Sequence, residues 1–271
     1  MYNLHKQQQE LTSAFNLDYT FNMRNISLFI LFSIFCFQFG FAQTSVSISF
    51  PDSYYTFRDN MYNAIGKTPA EYETQYNAVL KEIGETKSGL EKTILDTHCD
   101  YVLARAYRYV GLKDKAIQYF DKTIEKCKNI LQNHEIPQVY VLYADSISQN
   151  CALKPKSYAI SQGPKIKTMA KKALDLDPTY GTAYFLTNTQ NIFTPPPFGN
   201  LEEGMKALIP LLDKNIYRMD KADYYNAFTA RGFGYLEKGD KEQAEYWYKK
   251  GLEIYPLNPA AHEMLEVIKK R

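Results

Sequence analysis

Residues 225–259 read YNAFTARGFGYLEKGDKEQAEYWYKKGLEIYPLNP, and the rest of the chain can be laid against them. Phe228, Gly232 and Tyr235 follow one another at offsets of four and three, and so do Ala244, Tyr248 and Gly251. Residues three and four apart share one helical face, so each trio is a packing stripe. Gly239 and Asp240 supply a turn residue and an N-cap between the stripes, Gln243 is placed to complete a capping box, and Pro256 closes the second stripe. The stretch reads as two antiparallel helices joined by a tight turn.

The same offsets recur upstream. Ala104, Tyr107, Gly111, Ala116 and Phe120 repeat the spacing of Gly232, Tyr235, Gly239, Ala244 and Tyr248. Small residues at 104 and 116 let two helices approach closely, and the rings of Tyr107 and Phe120 fill the space beside them. A second unit opens at Pro137, with Tyr140, Tyr143, Ala144 and Ile147 in its first helix and Ala170, Ala173 and Pro178 in its second. Leu153 to Gly163 between them is expected as an inserted loop, either a binding feature or a tolerated excursion. A third unit runs from Thr179 to Asp213, with Gly199-Asn200 at its turn and Gly204, Leu208 and Leu211 in its second helix. The prolines at 195, 196 and 197 predict an extended spacer plugged by Phe198, and Pro210 a kinked or shortened helix.

The flanks are also helical. Val46, Ile48 and Phe50 alternate with Ser, a strand signal too short to stand alone. Tyr54, Phe57, Met61, Tyr62 and Ile65 lie on one helical face that Gly66 stops. Thr68-Pro69-Ala70-Glu71 reads as a capping box for a helix with Tyr72, Tyr76, Val79, Leu80 and Ile83 on its apolar face, and Ser88-Gly89-Leu90-Glu91 as a second box. Asn258-Pro259 begins a last helix whose apolar side is Ala261, Met264, Leu265 and Ile268. The whole is all-α, with about ten helices.

The formal charge of +2 arises from intermixed Lys, Arg, Asp and Glu, so no footprint for nucleic acid is present. Residues 26–42 are largely apolar, follow Met23-Arg24 and end on Gly40-Phe41-Ala42, which reads as an export signal cut before Gln43. Residues 1–22 then read as an extension before the true start, and 23–42 as the signal. A retained anchor and a lipid attachment at Cys36 are the competing readings of the same run. Once the signal is cut, no stable membrane span is expected. After it come an N-terminal arm and helices over 43–87, a repeat array over 88–257 and a capping helix over 258–271.

Residues 97–128 and 225–259 resemble the tetratricopeptide repeat strongly, and 137–213 resemble it loosely. That repeat is a helix-turn-helix of about 34 residues with W-x-x-L-G-x-x-Y in its first helix and A-x-x-x-F before a closing Pro. Phe228 stands here for the Trp and Arg231 for the Leu. The resemblance implies a right-handed superhelix of antiparallel helix pairs whose concave face, lined by first helices, holds a peptide, a helix or another protein. It places His98, Tyr101, Arg105, Arg108 and Tyr109 on that face in the first unit. In the second it places Gln138, Val141, Asp145, Ser148 and Gln149 there, and in the fourth Asn226, Thr229, Phe233 and Glu237. Arg105 and Arg108, flanked by Tyr101 and Tyr109, could clamp a carboxylate or simply form a solvated face. The layout of export signal, irregular repeats and Pro-Pro-Phe-Gly turn is also similar to exported bacterial repeat proteins, among them accessory proteins of tripartite ATP-independent transporters. The partner implied is another envelope protein or a peptide.

No G-x-S-x-G, H-E-x-x-H, phosphate-cradling Gly-rich loop or C-x-x-C occurs, so neither a catalytic nor a cofactor site is expected. His98-Cys99-Asp100 is a poor metal set, because adjacent helical residues point about 100° apart. Cys99 and Cys127 sit at neighbouring helix ends, where a disulfide and two buried free thiols are both open readings.

Overall fold

The computed structural model describes residues 48–213 and 216–270. The expected extension, signal and Ala42-Gln43 cut lie outside them. Among the described residues there are eleven α-helices and no strand. They are α1 (Asp52–Tyr62), α2 (Pro69–Thr86), α3 (Gly89–Tyr109), α4 (Lys113–Leu131), α5 (Pro137–Leu153), α6 (Lys156–Leu176), α7 (Gly181–Phe193), α8 (Leu201–Ala207), α9 (Lys221–Glu237), α10 (Lys241–Ile254) and α11 (Pro259–Lys270). The helices pack in chain order, most closely within α3/α4, α5/α6 and α9/α10, and form an all-α solenoid. No described helix is long and apolar enough to cross a membrane.

The packing stripes behave as their chemistry requires. Ala104, Ala116 and Phe120 are fully buried and Tyr107 nearly so, which lets α3 and α4 close on each other. Gly232 lies against the ring of Tyr248, where an added Cβ would come within 2.8 Å of Cδ2. Gly111 and Gly239 turn the chain with φ of +76° and +81°, a region that residues with a Cβ rarely enter.

Local signals were followed where the cap could form. The Thr68 hydroxyl accepts from the Glu71 amide and the Glu71 carboxylate accepts from the Thr68 amide at 2.7 Å, completing the box at α2. Asp240 caps α10 by accepting from the Gln243 amide at 3.0 Å. The box expected at Ser88 is absent, because the Glu91 carboxylate is drawn instead to Lys87 Nζ at 2.7 Å and the Ser49 amide at 3.3 Å.

Three expectations are corrected. Residues 153–163 are not an inserted loop: only Lys154-Pro155 interrupts the helices, and α6 runs on through Gly163-Pro164. Pro164 stands exposed within that helix. Leu208 and Leu211 lie beyond α8, which ends at Ala207 and passes into a 3-10 turn at Pro210–Leu212. Pro210 has no amide to continue the ladder and its ring would meet the carbonyl four residues back. Phe198 is no plug, since it stands 71% exposed. The Ile48 to Phe50 arm forms no strand, and the Phe50 ring packs on Tyr54 at 4.5 Å.

Both ends of the described chain meet. Asn258 Nδ2 donates to the Tyr62 carbonyl at 2.8 Å, the Ile65 amide donates to the Leu257 carbonyl at 3.1 Å, and the Leu257 amide donates to Asn63 Oδ1 at 3.0 Å. The Tyr62 and Tyr255 rings pack at a tilt of 32° with centroids 4.7 Å apart. Helix α1 therefore bridges the first and last repeats.

Candidate functional site

Seven of the residues expected to line the groove, Tyr101, Arg105, Arg108, Tyr109, Asp145, Gln149 and Asn226, converge, but around a buried centre. Arg105 on α3 is 5% exposed. Its Nη1 donates to the Tyr101 hydroxyl at 2.8 Å, and its Nη2 to the Tyr109 hydroxyl at 2.5 Å and to Asn226 Oδ1 at 3.4 Å. The Tyr62 ring of α1 lies 5.0 Å from the guanidinium carbon and the Tyr109 ring 5.3 Å, within cation–π range. A single guanidinium thus joins α1, α3 and α9, and its Nε is left without an acceptor.

From there a polar relay reaches the second unit. Tyr101 donates from its hydroxyl to Asp145 on α5, Gln149 Nε2 donates to Asp145 Oδ1 at 3.0 Å, and Arg108 donates to Gln149 Oε1. Burial holds the Tyr62 and Tyr101 hydroxyls well above the usual phenol range, so they act as neutral groups. Burial, then the neighbouring charge of Arg105, lowers the pKa of Arg108.

His98 is two turns before Arg105 on the same helix. Its ring meets Phe50 edge-on at 4.9 Å and Tyr54 at 6.2 Å. Burial and then the charge of Arg58 depress its pKa to about 4, and its Nε2 finds no partner. The imidazole is therefore neutral at ordinary pH.

Helix α1 is what covers this face. Arg58 is ion-paired with Asp220, the N-cap of α9, and Asp59 accepts from Tyr255 at 2.9 Å and from Lys221 at 2.7 Å. The Arg105–Arg108 face is accordingly neither an open clamp nor a solvated surface. Its arginines have no ion pair with a carboxylate among the described residues, yet they are occupied by tyrosines, Asn226 and Gln149.

The other expected residues fall elsewhere. Val141 is a buried core residue. Thr229 donates to the Tyr225 carbonyl within its own helix at 3.0 Å, and Phe233 packs on Phe193 with centroids 5.1 Å apart. Gln138 and Ser148 are half-buried on α5, and Glu237 stands exposed at the end of α9. Cys99 and Cys127 are buried free thiols, so the disulfide does not form. Each is enclosed in apolar packing, and burial pushes both thiols well above their usual range.

Sequence reasoning missed the partners contributed by α1. Tyr62 was read as part of one more apolar helix face and Arg58 not at all, and no spacing rule pairs a residue with one 162 positions away.

No family model and no curated protein matches the sequence. Among solved structures, a thermophilic TPR protein of Thermus thermophilus is similar at 15% identity and a TM-score of 0.47, over 79% of this chain and 100% of that one.

Proposed function

We propose that the chain is a non-catalytic, exported scaffold of the tetratricopeptide type that binds another protein or a peptide of the bacterial envelope. The observation that carries this reading is how the first-helix faces of α3 and α9 already hold a helix. They grip α1 through ring stacking on Arg105 and the Arg58–Asp220 ion pair. Helix-in-groove recognition uses this kind of apolar and charged anchoring. With that face filled by the chain itself, the outer helices are left to engage a partner, and Ile160, Tyr246 and Leu257 stand exposed on and beside them. Export is supported by Met23-Arg24 and the apolar run that follows, with the mature chain starting at Gln43.

An accessory role in solute transport would need tyrosines lining an enclosed space. The rings of Tyr62, Tyr101 and Tyr109 pack on a guanidinium instead, which favours the scaffold.

The test is native extraction from the host's envelope. The chain should carry Gln43 at its N-terminus and migrate in a complex larger than itself. A partner-free monomer, or a chain confined to the cytoplasm with its first residues intact, would overturn the reading.

A further inference from the structure

We infer that the exposed face of α6 is a docking surface for an acidic helical segment of a partner protein, an inference that rests on the scaffold reading above. Helix α6 carries Lys156, Lys165, Lys167, Lys171 and Lys172 against the single Asp175. Among the described residues none of these lysines forms an ion pair, whereas each of α2, α3, α4, α8, α9, α10 and α11 has at least one lysine that does. Lys165 donates only to Gln162 Oε1, and Lys172 lies over the Tyr140 ring at 5.4 Å. In a chain of net charge +2, five lysines against one aspartate concentrate positive charge on this helix.

That face also has shape. Pro164, Lys167, Thr168, Lys171, Lys172 and Asp175 line a hollow of about 430 Å³ whose far wall includes Gln190 of α7, so three lysines stand there against one carboxylate. One turn before it, Ile160 is 79% exposed. Positions 160, 164, 167, 168 and 171 recur at helical spacing and so form one continuous stripe. An apolar anchor at one end and a row of ammonium groups at the other match an amphipathic segment with Glu or Asp on its polar side.

The test uses the mature chain and a labelled Glu-rich helical peptide carrying one leucine, followed by fluorescence anisotropy. Lys167→Glu with Lys171→Glu should weaken binding at least about tenfold, and Ile160→Ser about fivefold. A control pair with the same charge change elsewhere, Lys113→Glu with Lys238→Glu, should stay within about twofold, and wild-type binding should weaken between roughly 0.05 M and 0.3 M salt. All four lysines are exposed, so folding should be unaffected. Unchanged peptide affinity in the α6 pair, or equal loss in the control pair, overturns the inference. Binding to phosphatidylglycerol vesicles without binding to the peptide also overturns it and assigns the face to a membrane. A native complex that survives the α6 pair overturns this surface while leaving the scaffold standing, whereas a wild-type chain without any complex removes the scaffold itself.

Discussion

The Arg58 guanidinium is ion-paired with the Asp220 carboxylate across 162 residues of sequence, and this pair ties the N-terminal helix to the last repeat. Asp220 also caps α9 by accepting from the Asp223 amide at 3.0 Å. Two jobs therefore meet on one carboxylate. Arg58→Ala should destabilise the chain by about 2 kcal/mol, less than the full loss of a deeply buried pair because the Asp220 side chain is 47% exposed. Asp220→Asn keeps the cap and removes the charge. A double-mutant cycle in urea should then give a coupling of about 1–2 kcal/mol; additivity would mean the two ends are not held by this pair.

Arg105 and Arg108 should separate sharply on truncation. Arg105→Ala removes three hydrogen bonds and leaves a void among Tyr62, Tyr101 and Tyr109, with a cost of about 3 kcal/mol. Arg108 donates to one neutral amide, so Arg108→Ala should cost about 1 kcal/mol or less. Thermal unfolding decides it: equal shifts would put Arg105 in solvent.

How much of this could be read from the residues alone follows from the range of each interaction. The Thr68 box and the Asp240 cap depend on atoms three residues apart, and the packing stripes on residues three and four apart, so spacing carried them. The register put Tyr101, Arg105, Tyr109, Asp145 and Asn226 on faces that come together, while His98 packs apart from them on Phe50 and Tyr54. What covers those faces was not legible. The Tyr62 ring reaches Arg105 only after the repeats curve round, and nothing within either segment encodes that meeting. The stretch from Leu153 to Gly163 misled in the other direction, since its length suggested a loop while α6 runs through it to Leu176.

Gly232→Ala should be destabilising although Ala is the better helix former by about 1 kcal/mol. The added Cβ would sit 2.8 Å from Tyr248 Cδ2 and 2.9 Å from Cε2, in a pair of helices with no slack. Overpacking of this kind costs about 1–3 kcal/mol, so a net loss of roughly 1 kcal/mol is expected. Tyr248→Ala should cost about 3–5 kcal/mol. A stabilised Gly232→Ala chain would show that α9 and α10 are further apart.

The thiols should report burial in order. Cys151 is half-buried, so iodoacetamide should label it first on the folded mature chain. Cys99 and Cys127 should react only as denaturant opens the core. Intact mass after oxidation would check the pairing, since a loss equal to one disulfide with Cys151 still reactive would mean that Cys99 and Cys127 are joined.

Acid should weaken the fold through His98. Its pKa falls from 6.5 in the open chain to about 4 in the fold, by burial first and the charge of Arg58 second, while Asp220 acts against the shift. The unfolded chain therefore binds the proton throughout that window and the folded chain does not. The stabilisation is complete above pH 6.5 and disappears as pH drops towards 4, by on the order of 3 kcal/mol. Phe50 and Tyr54 face the ring and carry no charge, so Asp220 alone offsets the shift in part. His98→Phe cannot take up a proton, so its urea midpoint should exceed that of wild type by a margin that widens as pH falls through the window. Carboxylates titrate in both chains and cancel in that difference. A margin constant with pH would mean that His98 is protonated in the folded chain.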